Sequence, residues 1–526
     1  MSLIAPAGLS FERGGLAVPP VPASTPKRRW LTRVDVAFAV FCLVVAAIRL
    51  GMLVPTRAPV GIDGGNWLAI GHDLMGDRIR SPSLVYAPFV PVLVTILVRL
   101  LGLVNGFALV TVVTALVPAI GAYLVLRWSG VRWKAAFLAG LLATAASTGE
   151  PAAWGGYPQL VGLGLLVVFL WLLDGYLKAG SYRRALGTGA VLALLLATSQ
   201  FIAFNAILAG AVLVVLHMVR LRRTAQTQSA ARLLIGLPLV ILPCLPLVPL
   251  YVTLVSEISR GLGSRPPFAL LRLDNFATSV DFLFRDFEIF WRMALVLACM
   301  TPMILLHRWR TTQWLLPTSL LMASGISLAV TAEPRNLYLL PVATVLALGS
   351  LSWELQRLPT SFARRSSRGL GVLLALALLV QSVVGLRFFD LQRRYYDVLS
   401  PELVAGLGWL RTHTPPGAVV AASRAENDAP IGWWVEGLAR RKTLWSSPLR
   451  WLNLEDERAR ARKANQLFAT GFPNETALEL ARGWKVEYVV VVKSWAEYQG
   501  GELSLFKARH PEMVAFDNDA VVILRV

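Results

Sequence analysis

Residues 61–93 read GIDGGNWLAIGHDLMGDRIRSPSLVYAPFVPVL. An acid, two glycines, then Trp67, Ile70 and Leu74 at helical spacing predict a short helix lying on a membrane surface. Asp63 falls at its N-cap, where a carboxylate commonly accepts hydrogen bonds from the first-turn N–H groups. The alternative role for Asp63 is a base held at the bilayer surface. Further on, Pro88 and Pro91 open the apolar run 84–103, which reads as a re-entrant or interfacial helix. His72, beside Asp73, reads as a surface residue.

Outward from this stretch the chain is membrane-like. It has 526 residues, 56% hydrophobic and 16% charged, and a formal net charge of +20. A soluble domain holds about a quarter charged residues, so a soluble enzyme is excluded. Eleven apolar runs are candidates for spans: 34–54, 105–127, 134–148, 159–177, 185–200, 203–219, 232–252, 287–306, 312–330, 337–353 and 369–387. The runs 134–148 and 185–200 are short of the roughly 20 residues a span usually needs.

The charge lies almost wholly in this part, because residues 388–526 hold 18 Lys and Arg against 17 Asp and Glu. Basic clusters fall in every second connection: Lys27–Arg33, Arg127–Lys134, Lys178–Arg184, Arg220–Arg232, Arg308–Arg310 and Arg357–Arg368. The positive-inside rule then predicts a cytoplasmic N-terminus. The surplus is a matter of orientation, and nucleic acid is not an expected partner; membrane lipids are. Arg49 and Arg292, near span ends, are placed to snorkel.

The predicted organisation is a disordered cytoplasmic arm over 1–33, a transmembrane domain over 34–387 with a first outer loop at 55–104, and an extracytoplasmic α/β domain over 388–526. In the last, the apolar runs in PPGAVVAAS, EYVVVVKS and AVVILRV predict strands, and LEDERARARKANQLFAT a charged, solvated helix. GWWVEGLARRKTLW reads as a segment that packs and anchors locally.

A first span, an outer loop with an early Asp, a surface helix and a Tyr86-Ala-Pro-Phe step into an apolar run resemble the GT-C membrane glycosyltransferases. These include protein mannosyltransferases and lipid A aminoarabinose transferases. The resemblance covers most of the chain and implies a polytopic helical fold of about 11 spans with an outer α/β domain. It implies transfer of a sugar from a polyprenyl-phosphate donor to a hydroxyl of a glycan, lipid or protein acceptor. In that family the first-loop acid is the base, and Asp63 matches it.

The second outer loop, STGEPAAWGGYPQ, carries Glu150 as a supporting catalytic acid. Tyr157 closes its aromatic turn as a substrate contact, against its reading as part of an interfacial belt. Some family members hold a divalent metal on an Asp-x-Asp pair. This chain lacks the pair, so no metal ligand is assigned and no cofactor is required, although a divalent metal stays open. Arg335, before a late span, is a candidate for the lipid phosphate; its alternative is an ion pair with Glu333. Arg265 and Arg272 in the loop 253–286 are further phosphate candidates. The competing function is a transporter or flippase, which would need paired charges or interrupted helices at mid-membrane.

Overall fold

The structure, a computed structural model, describes residues 32–76, 86–131, 133–223, 236–262, 277, 314–331, 333–357, 361–425, 429–449, 452, 454–469, 472–498 and 503–526. The predicted arm at 1–33 and the run 287–306 lie outside these residues, apart from Thr32 and Arg33.

The chain is a multi-pass helical membrane protein. Among the described residues seven helices are long and apolar enough to cross a bilayer: Arg33–Thr56, Leu103–Trp128, Tyr157–Ala179, Gln200–Arg222, Gly236–Glu257, Arg335–Gln356 and Arg365–Tyr395. Two shorter apolar helices, Phe89–Leu101 and Leu315–Thr331, accompany them. The run 185–200 forms the 17-residue helix Tyr182–Thr198.

The helices that frame the site are α1 (Arg33–Leu53), α2 (Gly64–Leu74), α3 (Phe89–Leu101), α4 (Leu103–Trp128), α5 (Lys134–Ala143), α6 (Ala146–Trp154) and α7 (Tyr157–Ala179). Close backbone approach holds the bundle together. A Cβ on Gly121 of α4 would lie 2.6 Å from the Gly164 carbonyl oxygen of α7, so only glycine fits this crossing.

Two expected boundaries need correction. The run 134–148 is no single span. It breaks at Thr144–Ala145 into α5 and α6. Thr148 Oγ1 donates to the Leu142 and Ala145 carbonyls at 3.0 and 2.9 Å, tying the first turn of α6 back across the break. The expected domain boundary after 387 falls inside a 35-residue helix, α8 (Ser361–Tyr395), which carries the last span straight into the C-terminal domain. Α Cβ on Gly385 of α8 would lie 1.7 Å from the Thr144 oxygen, so α8 passes hard against the break.

The run 84–103 forms α3, whose 13 residues rise only about 20 Å, too short for a span of about 30 Å. Gly102, at φ +80°, turns the chain directly from α3 into α4.

The basic ends of several helices meet at one end of the bundle. Arg127 at the end of α4 donates to Asp35 in the first turn of α1 at 3.1 Å. Lys134 at the start of α5 donates to Ser367 near the start of α8 at 2.5 Å. Arg49 does not snorkel: it is fully buried, donates to the Ala143 carbonyl at 3.0 Å and stacks 5.0 Å from the Phe389 ring centre.

The C-terminal domain sits at the opposite end. Its sheet has five strands in the order β2-β1-β3-β5-β4. They are β1 (Val419–Ala422), β2 (Lys442–Trp445), β3 (Tyr488–Val492), β4 (Val514–Asp517) and β5 (Val521–Arg525). The first two and β3 run parallel, while β5 lies antiparallel to β3 and to β4. The three expected strands are the sheet's centre. The edge strands β2 and β4 have mixed composition and escaped the sequence reading.

Candidate active site

The site forms where α2 meets the ends of α6 and α8 and the C-terminal domain. The segment before α2 is held by backbone bonds from several directions. Ile62 and Asp63 both donate their N–H to the Trp154 carbonyl at 3.0 Å. Gly61 donates to the Tyr396 carbonyl at 3.2 Å, just past the end of α8. The Gly61 carbonyl accepts the Trp434 indole N–H at 3.0 Å from the C-terminal domain. Trp67 donates its indole N–H to the Gly155 carbonyl at 2.6 Å.

The GIDGGN stretch is glycine-rich for a steric reason. A Cβ on Gly64 would meet the Trp434 ring at 2.8 Å, and one on Gly65 would meet the Trp433 and Trp434 backbone at 2.6 Å. Trp434 is itself fully buried. The GWWVEG segment is therefore wedged against the first turn of α2, and its tryptophans pack as expected. Across the site Gly155 adopts φ +99° as the residue that ends α6, and a Cβ there would lie 3.0 Å from Gly64 N and 3.2 Å from Asp63 Cβ.

Asp63 stands at the N-cap of α2, but its side chain makes no capping hydrogen bond. Burial pushes its carboxyl up to about 7 from an ordinary 3.8; the Arg335 charge opposes the shift and the Glu457 charge adds to it. An acid near 7 is half ionised at neutral pH and takes a proton readily. The capping explanation of Asp63 thus loses the hydrogen bond it requires.

Glu150 is not in a loop: it lies within α6. Its Oε2 accepts from Tyr338 O–H at 3.2 Å, and Tyr396 also hydrogen-bonds it. The Trp154 indole bonds Tyr338 in turn. Glu150 is thereby tied to the Tyr396 turn that pins Gly61.

Arg335 donates from Nε to Glu333 Oε1 at 2.8 Å and lies over the Phe201 ring at 5.2 Å. Both the expected ion pair and an electrostatic link to Asp63 are present. Arg335 keeps 34% of its side chain exposed. Tyr157 is different. It is fully buried, and its hydroxyl shares a 3.0 Å hydrogen bond with Thr111. It packs beneath Asp63 as part of the core and offers no surface to a substrate. Arg265 and Arg272 lie outside the described residues, as does Arg292.

His72 is buried, not on the surface. Its Nδ1 lies 3.4 Å from Arg99 Nη2 and 3.2 Å from Arg440 Nη2. Two cations facing one ring nitrogen require that nitrogen to act as an acceptor. Among the described residues no group of three His, Cys, Asp or Glu is placed to hold a metal ion.

Solved structures share this arrangement of helices and domain. ArnT from Cupriavidus metallidurans in the apo state matches with a TM-score of 0.55 at 13% identity, over 94% of this chain and 98% of that one. The chain has the GT-C fold of ArnT. The crystal structure of the same enzyme bound to undecaprenyl phosphate matches at 0.50 and 14%, over 93% and 97%. The Archaeoglobus fulgidus oligosaccharyltransferase in the apo form follows at 0.47 and 16%, over 89% and 70%. No protein-family model and no curated protein matches the chain. Within the GT-C fold, Asp63, Glu150 and Arg335 come together at the end of the bundle that carries the C-terminal domain.

Sequence reasoning missed Glu457, which the GT-C fold brings from the C-terminal domain to this site. It lies in the helix α9 (Glu455–Ala469), expected to be solvated. Instead α9 buries Glu457 and Arg460, and Arg460 pairs with buried Glu436 at 2.6 Å. Only contact with other elements marks these residues out; their helical spacing alone carries no such signal.

Proposed function

We propose that the protein is a glycosyltransferase that moves a sugar from a polyprenyl-phosphate donor to an acceptor hydroxyl at the extracytoplasmic face of the membrane. The observation that carries this reading is Asp63: an uncapping carboxylate, set by burial near neutrality, at the edge of a membrane bundle. The GT-C fold supports it, and the undecaprenyl phosphate in one ArnT structure suggests the donor class. The alternating basic loops support the orientation.

In the proposed reaction the Asp63 carboxylate takes the proton of the acceptor hydroxyl as its oxygen attacks the anomeric carbon. The bond from that carbon to the phosphate oxygen breaks, and the phosphate leaves with the electron pair. Arg335 stabilises the charge that grows on it. A single displacement inverts the anomeric configuration, and Asp63 then passes its proton to solvent. Glu150 supports the base indirectly, through Tyr396 and the backbone it holds at Gly61.

The test is transfer from a radiolabelled polyprenyl-phosphate sugar to a membrane acceptor pool by purified protein. Asp63→Asn is expected to lower transfer about 10²–10⁴-fold, the usual contribution of a general base. Equal activity in the two proteins removes Asp63 as the base. Substrate uptake into vesicles without any transfer favours a transporter.

A further inference from the structure

Glu457 lies in the first turn of α9 with Glu455 and Asp456. Acids at that position ordinarily sit in water at the positive end of the helix. Asp456 does so, 75% exposed and paired with Arg460. Glu457, one residue on, is only 3% exposed. A buried carboxylate is costly unless the surroundings compensate it, so its inward placement is imposed by the packing of the domain on the bundle. The packing is visible nearby, where Leu454 of the domain and Leu254 of the Val248–Leu262 helix form one apolar cluster against Tyr86 and Tyr251.

The direct link to the first loop runs through Tyr86. Its hydroxyl donates to Glu457 Oε1 at 3.0 Å. Its ring meets the Trp67 ring edge-on at 6.0 Å. Trp67 is one turn into α2, and its backbone N–H donates to the Asp63 carbonyl at 3.2 Å. A run of three contacts therefore joins Glu457 to Asp63. We propose that Glu457 is a positioning residue of the active site, a further carboxylate delivered by the C-terminal domain and held over α2 by Tyr86.

This inference rests on the reading of Asp63 as the base. Its consequence is electrostatic. The Glu457 charge holds Asp63 protonated to higher pH, and the Arg335 charge pulls the other way. Tyr157 and Tyr396 are the other titratable groups coupled to Asp63. Arg460, the basic residue on the buried face of α9, is engaged with Glu436 and Asp456. The balance between Glu457 and Arg335 thus depends on the domain being docked, and an undocked domain leaves Asp63 a weaker base.

The experiment reads the protonation of Asp63 without any sugar donor. The full-length protein in detergent is treated with a hydrophobic carbodiimide, which reacts with protonated carboxyls, across pH 5 to 9. Labelling of the Asp63 peptide is followed by mass spectrometry. Glu457→Gln is expected to lower the labelling midpoint by about half a unit to one unit, as loss of a nearby like charge does, and Glu457→Asp to retain it. Tyr86→Phe keeps the carboxylate but releases it, and a smaller downward shift is expected; it serves if Glu457→Gln does not fold. An unchanged midpoint in folded Glu457→Gln, or in Tyr86→Phe where Glu457→Gln does not fold, overturns the proposal. A shifted midpoint in a protein that transfers no sugar keeps the coupling and removes the transferase reading. Normal transfer with an unshifted midpoint does the reverse.

Discussion

Asp63 carries two consequences that a capping aspartate does not. Transfer measured as kcat/KM against pH is expected to rise tenfold per unit below pH 7 and level off above it, because only the ionised acid accepts the proton. A flat profile across pH 5.5 to 8.5 contradicts the assignment. The second consequence is stability. The folded protein holds a proton on Asp63 between its ordinary value of 3.8 and about 7, while the unfolded chain has released it. Stability therefore falls as pH rises through that window. Asp63→Asn removes the ionisable group, so its thermal midpoint relative to the native protein is expected to be higher at pH 8 than at pH 4.5. A difference independent of pH argues that the carboxylate is well solvated. At this scale the sequence drew attention to unusual residues in unusual places, Asp63 before two glycines and Arg335 at the mouth of a span, and the fold brings their charges within reach of each other. Sequence alone gave no sign that Tyr157 is buried and bonded to Thr111 of another helix, or that packing buries Glu457 alone among three consecutive acids.

The short elements do the positioning. Helix α2 approaches the C-terminal domain backbone to backbone at Gly65, and any side chain there meets main chain that cannot rotate away. Gly65→Ala is expected to destabilise the protein by about 1–3 kcal/mol, as overpacking does, and to lower transfer, because the shift separates α2 from Trp434. Thermal unfolding in detergent reads the first and the transfer assay the second; an unaltered midpoint shows that the contact is slack. The sequence located α2 and most long helices because membrane spans and amphipathic helices have strong signals of length and period. It misjudged α6, where nine residues with a proline and a glycine looked like a loop, and merged α5 with it. Helix breaks stabilised by threonine back-bonding leave no mark in hydropathy. The edge strands β2 and β4 were invisible for a related reason: each is four residues long and depends on its neighbour for definition.

At the scale of the molecule, charge and hydropathy made the class of protein legible, and the GT-C fold follows their division into bundle and domain. What they left out is how the two parts are joined. The helix α8 runs 35 residues without interruption from the basic end of the bundle to Tyr395. The next residue, Tyr396, supplies the carbonyl that holds Gly61, two residues before Asp63. A rod of that length measures about 52 Å, and pivoting it by about 5° at one end carries the other through roughly 5 Å. Transmembrane helices tilt to match the thickness of their bilayer. The rod is thus a lever with the lipid at one arm and the Asp63 segment at the other. Transfer by the reconstituted protein is expected to peak at one acyl-chain length and fall on both sides, with little change in detergent; equal rates in thin and thick bilayers show that the lever is locked. Membrane thickness then becomes a setting of the site, read through a single helix.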